Sequence, residues 1–356
     1  MFEQSFSPRW ISPPGETVAD LMVGLGLTTE DLAAHIGGTS KQAQNLLRGD
    51  HPINKSIAEG LASAVGSTAS FWLRREKEYR EELSRILENA DQWLSELPIK
   101  DMVKFGWLPS VESKLDRVTA CLDFFDIPDP TAWHGRYDGL LENIAYKTSQ
   151  SFDSTPSAVA AWIRQAELEA EEIDCAPWNK MEFSENLTEI RKLTRKKNPD
   201  QFLVELQAIC ARSGVAVVVV RAPAGCRASG ATKFIRDDKA LILLSARYLS
   251  EDHFWFAFFH EAAHVLLHGN RAFFLEGTGE LSSKYEDEAN LYAEKLLVPK
   301  QFQQRLGQLS ARKLEIIKFA REIGISAGLV VGQLQHKGII GHHQMNSLKR
   351  KFRWAD

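Results

Sequence analysis

What this chain lacks sets its class before any motif is read. It has four cysteines in 356 residues, Cys121, Cys175, Cys210 and Cys226, and no two stand in C-x-x-C spacing. Scattered single thiols fit a reducing cytoplasm, and no disulfide is expected. The N-terminus carries no basic segment followed by an apolar one, so no signal peptide is expected. The longest apolar run, Phe254–Leu267, is broken by His and Glu and is too short to span a bilayer, so no membrane role is expected. Charge of one sign is scarce too. The formal net charge is −4 and apolar content is 44%, which excludes a disordered or nucleic-acid-coating chain. No internal repeat is visible. A chain of this length holds two or three domains and buries a good core.

The most informative stretch is Phe258–Gly269, FFHEAAHVLLHG, which sets His260, Glu261 and His264 in H-E-x-x-H order inside an apolar helical run. Residues four apart project from one helix face, so both imidazoles can meet one tetrahedral Zn²⁺. Glu261, beside the first ligand, is placed to act as general base on a metal-bound water. A site of this kind needs a third protein ligand and one open position. A third His six residues after the second would complete a metzincin site, but that position is Asn270, and Leu267 stands where the glycine belongs. His268 lies about 80° round a straight helix from His260, and reads as a helix-end or surface histidine.

A Glu from a second helix is the other solution. In Tyr285–Pro299, YEDEANLYAEKLLVP, Ala289, Tyr292, Ala293, Leu296 and Leu297 recur at helical spacing and mark a packed face. Glu286 lies on that face, where a carboxylate without a partner is costly. It is the expected third ligand, with Glu288, nearer Lys295, as the alternative. Asn290, one turn on, is placed to hydrogen-bond a ligand. HEAAHVLLHG followed by EDEANLYAEKLLVP is similar to the ImmA/IrrE family of zinc metallopeptidases, whose second motif reads approximately E-x-E-A-N-x-F-A-x-x-L-L-x-P. Tyr292 takes the place of the usual Phe. The resemblance covers about residues 205–345. It implies a gluzincin-like fold, one Zn²⁺ and peptide-bond hydrolysis, with helix-turn-helix repressors as substrates.

Residues 10–80 read as short helices. Thr28-Thr29 caps EDLAAHIG, Gly37-Gly38 makes a tight turn, and Thr39-Ser40 opens KQAQNLLRG, closed by Gly49. Helix, glycine turn, helix is a helix-turn-helix pattern. Ala43, Leu46 and Leu47 face inward. Ser40, Lys41, Gln44, Asn45 and Arg48 are left for base edges and phosphates. The segment resembles XRE-class DNA-binding domains and, more narrowly, HigA-type antitoxins, which implies operon repression and a toxin partner. Residues 1–80 hold eight Lys/Arg against nine Asp/Glu, a balance that equally fits a protein-docking module.

Residues 81–200 read as charged helices with breaks at Asp126–Pro130 and Ser149–Pro156, and with a basic cluster around Arg191–Lys197. Beyond them, Val215–Arg221 reads as a buried strand, and Gly230–Arg236 and Ala240–Leu244 as a hairpin. A strand at the edge of such a sheet suits an extended substrate backbone. Cys226 in PAGCRASG is a thiol that a zinc centre could recruit, although a loop or partly buried thiol is the plainer role. His336 near a helix end could stabilise an oxyanion or lie on the surface. The tail LKRKFRW is expected to be solvated.

These readings predict an α+β, mostly helical chain. A helix-turn-helix domain spans 1–80, a helical linker or sensor region 81–200, and a gluzincin-like metallopeptidase domain with a small β-sheet 201–356. His260, His264 and Glu286 are the expected zinc ligands and Glu261 the base. The expected partners are a protein substrate (a repressor or a toxin–antitoxin partner), operator DNA, and a second copy in a homodimer. The competing reading is a non-catalytic HigA-type antitoxin or repressor whose C-terminal domain is a protein-binding module.

Overall fold

The computed structural model of the chain describes residues 12–137, 154–269, 274–275 and 280–354. Asn270 and the first part of the break expected from Ser149 lie outside the described residues. The chain divides into two units, Met1–Ser95 with Val111–His134, and Glu96–Ser110 with Gly135–Asp356. Residues of the 81–200 stretch therefore fall in both.

The first unit begins with five helices, α1 (Pro14–Leu25), α2 (Thr29–His35), α3 (Ser40–Leu47), α4 (Lys55–Val65) and α5 (Ala69–Leu87). Local chemistry sets their starts. Thr28 accepts from Asp31 N while Asp31 accepts from Thr28 N, and Thr39 and Gln42 repeat the arrangement at α3. Each reciprocal pair satisfies two otherwise orphaned amides, and a lost cap residue costs about 1 kcal/mol. Gly37, with φ of 65°, makes the turn between α2 and α3. Val18, Leu32, Ala43, Leu46, Leu61 and Trp72 close the core beneath them. Lys41 and Gln44 are exposed on α3 and Arg48 at its C-terminal cap, while Ser40, Asn45 and Leu47 are half-buried.

The second unit is built on a four-stranded sheet in the order β1-β3-β2-β4: β1 Val215–Val219, β2 Gly230–Arg236, β3 Lys239–Leu244 and β4 Phe274–Leu275. β1 runs parallel to β3, and β2 antiparallel to both β3 and β4. The hairpin falls where its sequence places it, and β1 stops at Val219. Both faces of the sheet are covered. Ala216, Val218, Leu241 and Leu243 pack with the helix Pro156–Glu171. Val217, Ile242 and Leu244 pack with Phe258, Phe259 and Val265 of the helix Glu251–His268, the motif helix. Burial on two faces explains why β1 is a continuous apolar run without alternation. The helix Pro156–Glu171, from the middle of the chain, is thus one layer of this unit, and Trp162 Nε1 in it donates to Val220 O at 2.9 Å.

The C-terminal tail departs from its expected solvated state. Arg350 N donates to Glu251 Oε1 at 3.0 Å, and Lys349 Nζ pairs with Asp252 Oδ2 at 2.5 Å. Phe352 N donates to Leu249 O at 2.8 Å, and the Phe352 ring meets Phe202 and Phe254. Buried Glu251 and Asp252 at the start of the motif helix require cationic partners, and the basic tail supplies them. Among the described residues no helix is long and apolar enough to cross a membrane.

Candidate metal centre

The motif helix is apolar nearly all round because it lies inside the unit, between the sheet and the helix Glu280–Leu297. His260, Glu261 and His264 are consequently buried. The second helix turns Ala289, Ala293 and Leu297 inward, and the same face carries Glu286. The two His Nε2 atoms lie 3.0 Å apart, with Glu286 Oε2 3.1 Å from His260 and Oε1 3.4 Å from His264. Ligand atoms each about 2.0–2.1 Å from a tetrahedral Zn²⁺ stand about 3.3–3.4 Å from one another, so these separations fit a single ion. Glu288 belongs elsewhere: its carboxylate is 4.0 Å from His268 and 3.9 Å from Lys284. Of the two candidate carboxylates, Glu286 is the one in the cluster, and His268 is not part of it.

Protonation suits the same purpose. His260 Nδ1 is 3.0 Å from Asn290 Oδ1, an acceptor, so the ring donates there and turns the Nε2 lone pair to the cluster. Burial lowers the pKa of His264, and Glu286 offsets this only in part, which favours neutral imidazole. Burial opposes ionisation of Glu286, but the close approach of the His260 and His264 rings holds the carboxyl down to about 2. Two imidazole lone pairs and a carboxylate converging on one point form a donor set for a divalent cation. We expect Asn290→Ala to weaken Zn²⁺ binding about 10- to 100-fold with the fold retained, the usual cost of losing a partner that orients a ligand. Competition titration with a chelating dye measures it, and unchanged affinity contradicts the role given to Asn290.

Glu261 points from the motif helix to the start of β2. Thr232 Oγ1 donates to its carbonyl at 3.3 Å, tying helix to strand. A Cβ at Gly230 would lie 2.5 Å from Glu261 Oε1 and 2.7 Å from its Cγ, so this position has room only for glycine. Sequence reading missed this contact. Its one signal was a glycine opening a strand, which marks close approach to a neighbouring group. Gly230→Ala should displace the Glu261 carboxylate and leave the ligands in place. The expected result is full metal content with hydrolysis reduced at least tenfold, since small misplacements of catalytic groups are costly. Metal analysis beside a rate measurement separates the two.

The remaining sequence candidates lie outside the cluster. Cys226 is buried, and burial pushes its thiol up to about 12, so it is no ready thiolate. His336 is largely exposed, 3.7 Å from Glu294, on the wall of a cleft beside the centre.

A His/His/Glu cluster of two buried histidines and a half-buried glutamate, with a neighbouring glutamate on an H-E-x-x-H helix, is the arrangement of zincin-type metallopeptidases. Residues 212–334 match the family model of the IrrE N-terminal-like domain, Peptidase_M78, so the C-terminal part of the chain holds an IrrE/ImmA-like peptidase domain. Neither the curated proteins nor the solved structures contain a match to this chain.

Proposed function

We propose that this chain is a transcriptional regulator in which a zinc-dependent peptidase is joined to a DNA-reading helical domain, and that it cuts a regulatory protein of its own operon. One observation carries the peptidase reading: His260, His264 and Glu286 converge on one point with buried Glu261 alongside. Zn²⁺ bound there supplies Lewis-acid polarisation of a peptide carbonyl and acidifies water. The chain's own residues do the rest. Asn290 fixes the His260 tautomer, Gly230 leaves room for the Glu261 carboxylate, and Glu261 takes the proton of the attacking water and returns it to the leaving amine. The test is incubation of metal-loaded protein with the product of the neighbouring gene, a repressor or small toxin. Cleavage that a chelator stops supports the reading. Absence of cleavage with every such partner favours a non-catalytic antitoxin that uses this domain for binding.

The DNA reading rests on the exposed face of α3, Lys41, Gln44 and Arg48, with Ser40 and Asn45 half-buried beside them. Helix-turn-helix proteins lay such a face in the major groove, usually as dimers on a two-fold site. We expect binding to the chain's own promoter that weakens as salt rises. Gln44→Ala with Asn45→Ala should lose sequence preference more than affinity, and Lys41→Ala should lose affinity on every sequence. Gel shifts on promoter and scrambled DNA at several salt concentrations decide it. Equal weak binding to both by the unaltered protein removes the operator claim and leaves a protein-docking module.

A further inference from the structure

A cleft of about 360 Å³ opens along the motif helix, near the lower end of the range for ligand pockets. It adjoins the metal centre. Asn290, the partner of His260, lines it, and so do Phe256 and Ala257, one turn before His260 on the same helix. Ser229, next to Gly230, borders it on the side of Glu261. A peptide lying with its scissile bond at the centre therefore places a flanking side chain in this cleft.

The walls are aromatic. The Tyr248 and His253 rings lie 4.3 Å apart at 31°, and Phe256 faces His336 at 6.2 Å. Tyr248 is held at the rim by an unusual loop. Ala246 and Leu249, on either side of it, both have φ of 47°, a left-handed conformation that non-glycine residues avoid. Such a conformation persists only where the surroundings impose it. Here Arg247 Nη1 donates to Arg227 O at 2.6 Å, and Phe352 N of the tail donates to Leu249 O at 2.8 Å.

Among the polar residues that line the cleft, Gln333 is left unsatisfied. The residue is 3% exposed, and its enclosed Oε1 accepts no hydrogen bond from any described residue. A buried acceptor left in this state is costly, and a donor on a bound molecule would satisfy it. That donor need not be a cation. Asp252, the acid in the cleft, is already paired with Lys349 and with Ser250, which leaves no uncompensated charge for lysine or arginine. Planar walls and one enclosed acceptor fit an aromatic ring that carries an O–H or N–H.

We propose, on the peptidase reading above, that this cleft is the side-chain subsite next to the scissile bond and that it selects tyrosine or tryptophan, whose donor meets Gln333 Oε1. The test uses the Zn²⁺-loaded Glu261→Gln protein and labelled hexapeptide pools with Tyr, Trp, Phe, Leu, Ala or Lys fixed at one position. Fluorescence anisotropy should rank Tyr and Trp first and Phe behind them by roughly two- to tenfold, the worth of one net hydrogen bond. Gln333→Leu should abolish the Tyr and Trp advantage and leave Phe binding unreduced. Tyr248→Ala, at the exposed rim, should weaken all three aromatic pools. Equal binding of all pools, no binding, a Lys preference, or a Tyr preference that survives Gln333→Leu overturns the proposal. Because binding is read on a variant without the base, it is independent of turnover. Partner proteins left uncut by unaltered protein that still ranks the pools in this order sink the peptidase reading, and the cleft then stands only as a pocket for aromatic side chains.

Discussion

Protein purified without chelator is expected to hold about one equivalent of zinc per chain, and His264→Ala to hold almost none. The reason is geometric. His264 supplies one of three donor atoms, its Nε2 lies 3.0 Å from that of His260, and burial keeps it neutral. With it removed, two protein ligands remain, fewer than the three a catalytic zinc site uses. Glu286→Ala should behave likewise, while Glu288→Ala should keep its metal, because that carboxylate stands with His268 and Lys284. Elemental analysis reads the content. A thermal melt adds a second measure, because a ligand that binds only the folded state raises the midpoint. Added Zn²⁺ should raise the midpoint of the unaltered protein and of Glu288→Ala, but not of the other two. Full metal content in His264→Ala would show that the ion sits elsewhere.

Glu261→Gln should keep both metal and fold and lose hydrolysis by at least about 100-fold, the lower end of what a positioned acid–base group contributes. The amide keeps the shape of the side chain in the narrow space beside Gly230 and removes the proton acceptor. Chain cleavage of the cognate protein, followed on a gel with matched zinc content, checks it. Turnover equal to that of the unaltered protein would remove Glu261 from the mechanism. Hydrolysis lost together with the metal would instead give Glu261 a structural role.

The sequence by itself set out the His260/His264 pair and much of the local structure. Four-residue spacing puts His260 and His264 on one face of any α-helix, and the Ala289/Ala293/Leu297 stripe fixes which side of the next helix carries Glu286. Threonine caps and glycine turns mark where α2 and α3 start and stop, because capping and left-handed backbone are local properties of a few neighbouring residues. A β-branched run and a charged turn set out β1 and the hairpin in the same way.

What only the tertiary structure decided involves residues far apart in the chain. Helical phase favours Glu286 over Glu288, and the distances to His260 and His264 place it in the cluster. The basic tail reads as solvated because nothing near it in sequence shows that Glu251 and Asp252 are buried about a hundred residues earlier. Their burial turns Lys349 and Arg350 from surface charges into partners. Gly230 looks like any strand glycine until the motif helix brings Glu261 against it. The cleft exists only where Ser229 ahead of β2, the motif helix and the helices carrying Asn290 and Gln333 meet. Periodicity records which face of an element is apolar. Which distant residue meets that face is set by packing.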